Sequence, residues 1–340
     1  MGESGLNVAV VGAGSWGTAL ARVLAKKPGH RVKLWAREPE VAEEIRRFRE
    51  NRTFLPGVEL PDTLEASTDL SAVVAGHEMV VSVVPSQFVS TVFGGVAGEL
   101  QPNAQIISAS KGIEVATGKR MDEVLSGILT PEQSNRLTFL SGPSFAKEVG
   151  HEEPTAVVVA SRSDEAAVAA QSAFQTDYFR VYTNPDVLGV ELGGALKNVI
   201  ALAAGAVAGL GFGHNTLAAL ITRGLAEITR LGVAMGADPA TFSGLAGMGD
   251  LVLTCTGALS RNRTVGYRLG KGEALQDILG DMRGVAEGVK TVQAVRDLAR
   301  AAEVEMPISD EVHALLWEGR APAEAVRNLM LRQPRPEVWS

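Results

Sequence analysis

Short, unbroken apolar runs alternate with stretches of helical period through the first half of the chain, and helical period alone fills the second. The apolar runs at 6–11, 31–36, 78–84, 105–110, 136–140, 155–160 and 178–183 predict strands of the kind buried on both faces of a parallel sheet. Helices are expected between them, clearest at 18–27, 38–50 and 164–174. Then comes 191–213, apolar almost all round, which predicts a buried helix. Its apolar run, 199–213, is shorter than a bilayer requires, so a core helix is expected and not a membrane span. Beyond it helices follow, the first over 215–231, with no further strand.

The first strand runs straight into Gly12-Ala13-Gly14-Ser15-Trp16-Gly17 and a helix. Strand, Gly-x-Gly-x-x-Gly and helix in that order make a dinucleotide fingerprint. Gly12 forms the tight turn, Gly14 lets backbone approach a pyrophosphate, and Gly17 lets helix and strand pack closely. The second strand ends in Trp35-Ala36-Arg37-Glu38. An acidic residue there suits the ribose of NAD(H), and an arginine suits the 2′-phosphate of NADP(H). Arg37 favours NADP(H); Glu38, one residue later, keeps NAD(H) open or serves as an ordinary acid in a first helical turn. Lys111 follows the fourth run and so reaches the carboxyl edge of the sheet, where ligands bind. After the fifth run, Ser141-Gly142-Pro143-Ser144-Phe145-Ala146 reads as a helix start with proline at its first position, facing the same edge. The fold class expected is α/β: a Rossmann-type doubly wound sheet over 1–190, followed by an all-α second domain over 191–340.

The 340-residue length supports two domains. A net charge of -7 argues against a general nucleic-acid binder. One cysteine, Cys255, excludes an internal disulfide and reads as a buried structural thiol. The five histidines form no metal motif, so no metal is expected. No basic leader or cleavage site precedes the first strand, and a cytoplasmic location is expected.

In the second half, Lys197 is a single charge at the edge of the apolar helix. Small residues lie at helical spacing from it, Gly194, Ala201, Ala204 and Ala208, leaving room for a ligand or another backbone. Its plain alternative is a lysine whose stem covers apolar surface. Asp250 follows a glycine-rich turn and reads either as a site carboxylate or as a helix cap. Ser260-Arg261-Asn262 opens a helix with a serine cap, a guanidinium and an amide. A cation at a positive dipole end is unfavourable alone, and an anion would resolve the conflict.

Taken together the motifs resemble the bacterial NAD(P)-dependent glycerol-3-phosphate dehydrogenases, in family order over nearly the whole chain. They are Gly-Ala-Gly-Ser-Trp-Gly-Thr-Ala at 12–19, Phe-Leu-Pro-Gly at 54–57, Ser-Lys-Gly-Ile-Glu at 110–114 and Ser-Gly-Pro-Ser-Phe-Ala at 141–146. Glu-Leu-Gly-Gly-Ala-Leu-Lys-Asn-Val at 191–199, Leu-Ile-Thr-Arg-Gly-Leu-Ala-Glu at 220–227, Gly-Asp-Leu at 249–251, Ser-Arg-Asn at 260–262 and Val-Ala-Glu-Gly-Val at 285–289 complete the set. Leu217 departs from it, standing where many relatives have lysine, and the tail after about Gln333 matches nothing usable.

The resemblance implies reversible hydride transfer between NAD(P)H and C2 of dihydroxyacetone phosphate, giving sn-glycerol 3-phosphate for glycerophospholipid synthesis. It implies that Lys197 is the catalytic acid/base and that Lys111, Gly142, Ser144 and Asp250 line the substrate pocket. Ser260, Arg261 and Asn262 would hold the phosphate. Besides the glycines, Ser15, Trp16, Arg37, Lys111, Ala146, Arg261, Val285 and Glu287 would touch the cofactor. The partner expected is a small phosphorylated substrate, with a homodimer plausible and no integral membrane segment. Two other readings stand beside it: a β-hydroxyacid-type dehydrogenase acting on a substrate without phosphate, and an NADP sensor without chemistry. The anion cradle at 260–262 speaks against the first, and Lys197 against the second.

Overall fold

A computed structural model describes residues 5–282, 284–334 and 336–337; Arg283 and the last residues of the tail lie outside it. Eight strands form one sheet: β1 (Asn7–Val11), β2 (Arg31–Trp35), β3 (Leu64–Ser67), β4 (Met79–Ser82), β5 (Gln105–Ser108), β6 (Thr138–Ser141), β7 (Thr155–Ser161) and β8 (Phe179–Asn184). Their order is β8-β7-β6-β5-β4-β1-β2-β3. All neighbours are parallel except β6 and β7, which pair antiparallel with Phe139 opposite Ala160. Alternate residues of β1 feed two cores, Val8 and Val10 on one face and Ala9 and Val11 on the other. A sheet apolar on both faces needs cover on both, and this one is doubly wound as expected.

Three of the expected strands run one or two residues past the observed carboxyl ends, because the chain leaves the sheet there. Ala36, Val83, Val84, Ala109 and Ser110 all belong to the following loops. Strand β3 was not expected: it is four residues long and buries only Leu64 and Ala66 fully, too short to show a period. The helix expected from Pro143 begins instead at Ala146 and ends at Gly150. Gly142 takes φ 125°, and the Ser144 hydroxyl donates to its carbonyl at 3.0 Å, closing a turn that delays the helix.

Strand β8 is an edge whose outward backbone groups at Phe179 and Val181 are already paired. Val181 donates its N–H to Gln175 Oε1 at 2.9 Å, and Gln171 Nε2 donates to the Val181 carbonyl at 2.7 Å. Thr176 does the same for Phe179, through its hydroxyl at 2.9 Å and its backbone N–H at 3.0 Å.

The chain divides into two compact units, Met1–Gly194 with Ala237–Asp250, and Ala195–Gly236 with Leu251–Ser340. The border thus falls after Gly194 and not after 190, and Ala237–Asp250, expected among the second domain's helices, belongs to the first unit. Past β8 the described residues are helical or irregular. The central helix runs over Val187–Gly209, four residues earlier at each end than expected. At that length it is apolar enough to cross a bilayer, contrary to the sequence reading, yet 89% of its most apolar window is buried inside the protein.

Within the second unit this helix packs backbone to backbone on Arg261–Gly270. An ideal Cβ on Gly205 would lie 2.0 Å from the Arg263 carbonyl oxygen, and one on Gly266 would lie 1.9 Å from that of Leu202. Small residues here admit another backbone. Cys255 is fully buried.

Candidate active site

The dinucleotide loop has the geometry its glycines predict. Gly12 takes φ 119°, and a Cβ on Gly17 would lie 1.8 Å from the Gly12 carbonyl oxygen. Nothing would come within 4 Å of a Cβ on Gly14, which starts the helix Ser15–Ala25 with no side chain capping its N–H groups. Open space above uncapped donors at a positive dipole end fits a pyrophosphate. Trp16 packs against the core below, and its buried indole Nε1 finds no partner among the described residues.

The loop is clamped by a residue the sequence reading passed over. Asn51 is fully buried; its Nδ2 donates to the Ala13 carbonyl at 2.9 Å and to Thr18 Oγ1 at 2.8 Å. Its Oδ1 accepts the Phe54 N–H at 2.9 Å. The Phe-Leu-Pro-Gly motif therefore builds the hairpin that holds Asn51 under the glycines. Arg37, two residues past β2, is 72% exposed along its side chain; its Nε and a terminal nitrogen both reach Glu38 Oε1, at 2.9 and 2.6 Å.

At the carboxyl ends of β5 and β6, four expected residues meet within the first unit. Lys111 Nζ donates to Asp250 Oδ2 at 2.7 Å and to the Gly142 carbonyl at 3.1 Å, the carbonyl that also takes the Ser144 hydroxyl. Asp250 is 1% exposed and opens the helix Asp250–Thr256, so it stands at the helix start while its carboxylate holds a partly buried cation. Ala146 begins the short helix after this turn.

In the second unit Lys197 is 6% exposed and donates to Thr254 Oγ1 at 3.0 Å. Ser260 caps Arg261–Gly270 by accepting the Arg263 N–H at 3.2 Å. Asn262 joins three helices: Nδ2 donates to Asn198 Oδ1 and Oδ1 accepts the Gly288 N–H, each at 3.0 Å. The Arg261 side chain lies against Gly284, where a Cβ would sit 2.9 Å from its guanidinium nitrogen. Val285 is exposed, and Glu287 opens the helix Glu287–Ala301. Arg261 and Asn262 thus share one locality with the 284–288 loop. The Arg37 side chain meets Glu38.

A glycine fingerprint with two lysine-bearing clusters suits several dehydrogenases, and comparison with known proteins separates them. Residues 7–167 match the N-terminal family model of NAD-dependent glycerol-3-phosphate dehydrogenase, and residues 186–327 match the C-terminal one. The chain belongs to that family. A glycerol-3-phosphate dehydrogenase [NAD(P)+] of Citrifermentans bemidjiense is 58% identical over 330 residues, covering 97% of this chain and 98% of the relative. That of Geobacter metallireducens is 57% identical over 337 residues, covering 99% of each. The crystal structure of the Coxiella burnetii glycerol-3-phosphate dehydrogenase superposes with a TM-score of 0.91 at 39% identity, covering 96% of this chain and 99% of that one.

Three residues to which the sequence motifs assign no role support these clusters. Thr254 and Asn198 hold Lys197 and Asn262. Thr254 lies one helical turn from Asp250, a spacing that could have marked it. Asn198 follows Lys197 directly. Asn51 gave no local signal, because its role exists only once the hairpin folds.

Proposed function

We propose that Lys197 donates and recovers the proton at the C2 oxygen of dihydroxyacetone phosphate as this NAD(P)-dependent oxidoreductase of the glycerol-3-phosphate dehydrogenase family interconverts it with sn-glycerol 3-phosphate. The bound nicotinamide supplies or takes the hydride. The observation that carries the assignment is an almost fully buried amine on an apolar helix, hydrogen-bonded to the neutral hydroxyl of Thr254. An ammonium that donates to a hydroxyl can also give a proton to a substrate oxyanion brought beside it.

Lys111 is the second cation of the proposal. Fixed by Asp250 and by the Gly142 carbonyl, it presents a positive charge at the sheet edge with little freedom to move. Gly142 and Ser144 line the same pocket. Ser260, Arg261 and Asn262 hold the phosphate. Ser260 caps with a lone pair and keeps its O–H to donate, and Asn262 keeps one N–H beyond the one given to Asn198. Gly12, Gly14, Ser15, Trp16 and Gly17 seat the cofactor's pyrophosphate, Arg37 its 2′-phosphate, and Ala146, Val285 and Glu287 border it. NADP(H) is the preferred cofactor, NAD(H) the second, and the location is cytoplasmic.

Lys197→Met keeps length and apolar packing while removing the proton. Turnover of NADPH with dihydroxyacetone phosphate should fall by about 10²–10⁴-fold, the usual share of general acid/base catalysis, with NADPH affinity by fluorescence titration unchanged. A variant within about tenfold of the parent would transfer the role to Lys111.

A further inference from the structure

Three buried polar atoms of the first unit have no hydrogen-bond partner among the described residues and belong to residues lining one small cavity: Ser108 Oγ, Ser141 Oγ and Glu191 Oε2. Ser108 and Ser141 are 1% and 3% exposed, and the Glu191 side chain is 8% exposed. Lys111 and Gly194 line the same cavity. Its volume, about 10 Å³, is the space one water centre needs, and such waters bind where two to four polar groups converge. Buried polar atoms are rarely left unpaired, and three in one place favour a shared partner.

The carboxyl of Glu191 has one oxygen already engaged, since Oε1 accepts the backbone N–H of Asp122 at 2.9 Å. The nearby cations serve Asp122 first. Arg120 Nε is 3.2 Å from Asp122 Oδ1 and 3.8 Å from Glu191 Oε2, and Arg162 is 2.9 Å from Asp122 Oδ2. Glu191 is therefore a buried acid beside a carboxylate whose own cations are taken, with Arg120 at the longer distance and Lys111 lining the same cavity. Burial first, and the Asp122 charge second, push its carboxyl well above the usual range. The raised carboxyl favours the neutral form, whose O–H can donate.

We propose that this cavity is a built site for one water, held by Ser108, Ser141 and Glu191, and that Glu191 acts through it as a positioning residue for Lys111. Ser108 ends β5, three residues before Lys111. Ser141 ends β6, next to the Gly142 carbonyl that receives Lys111 Nζ. One water on both hydroxyls ties together the two strand ends that hold this amine. The kinetic part rests on the reading of Lys111 as a substrate-side residue.

Two measurements test it. The infrared spectrum at pH 7 should contain a protonated-carboxyl C=O stretch that Glu191→Gln removes; no such loss would overturn the water-bound acid. Glu191→Leu should lower kcat/KM for dihydroxyacetone phosphate about tenfold with NADPH affinity unchanged, and Glu191→Gln, whose amide can hold the water, should restore it to within about twofold. If Leu and Gln behave alike, the positioning role is overturned even where the infrared band is found. Should Glu191→Leu not fold, the double variant Ser108→Ala, Ser141→Ala should show the same tenfold loss, and parental kinetics would overturn the role. Lys111→Met separates the underlying reading: unchanged kinetics there would overturn the kinetic part through Lys111, with the infrared result still deciding the water site.

Discussion

On the proposed reading, the Arg37 guanidinium has two competing partners, Glu38 and the cofactor's 2′-phosphate. The pair is exposed, and exposed ion pairs contribute about 0–1 kcal/mol, whereas a hydrogen bond to a charged phosphate contributes about 1.5–3 kcal/mol. The 2′-phosphate should therefore displace Glu38. Arg37→Ala should weaken NADPH binding about tenfold or more while NADH binding changes much less, read by fluorescence titration of both cofactors. Equal losses would show that Arg37 does not touch the 2′-phosphate. Arg37 was readable because a short motif followed by a strand fixes its position in the chain. Its pairing with Glu38 was not, because a rotamer has no trace in sequence. Lys197 stood out as a charge on an apolar helix, whereas Asn51 looks like any loop asparagine until the hairpin beneath the glycines exists.

Elements were legible in proportion to their length and period. The helix Asp164–Phe174 has the bounds its pattern predicts, and the all-round apolar character of Val187–Gly209 correctly places it in the interior. Four-residue β3 lacked a period to read, and the turn at Gly142–Ser144 overrode the preference of Pro143 for a first helical position. The small residues of the central helix were visible; which ones meet a neighbouring backbone was not. Gly205 and Gly266 now answer that, since each faces a carbonyl oxygen and not a yielding side chain. Gly266→Ala should cost about 1–3 kcal/mol or more, because two helices must separate, despite alanine's better helix propensity. Urea unfolding should show the loss as a lower midpoint at an unchanged slope. A neutral or stabilising result would mean that the helices part easily.

For the molecule as a whole, the alternation of strand and helix followed by helix alone foretold the architecture, but a linear reading could not see that Ala237–Asp250 returns to the first unit. Stability carries a further signature. Glu227 is buried and accepts the Ile308 N–H at 2.7 Å and the Ser309 N–H at 3.4 Å, capping the helix Pro307–Trp317. Burial outweighs those bonds and raises its carboxyl from 4.5 to about 7. The folded state thus holds a proton that the unfolded chain has already released. Its contribution is full below about pH 4.5 and is lost as pH rises through about 7, a change on the order of 3 kcal/mol. Glu227→Gln should flatten that part of the curve in urea titrations at pH 5 and pH 8. A pH dependence identical to the parent's would show that Glu227 is ionised in the fold.

The β8 edge has a consequence for life at high protein concentration. A neighbouring polypeptide recruited as a ninth strand would need the outward amides and carbonyls of Phe179 and Val181, and Thr176, Gln171 and Gln175 already imitate that strand. The intruder would have to evict an intramolecular mimic present at a far higher local concentration. At Phe179 and Val181 the edge is therefore protected against fibrous growth without a proline or a charge at those pairing positions.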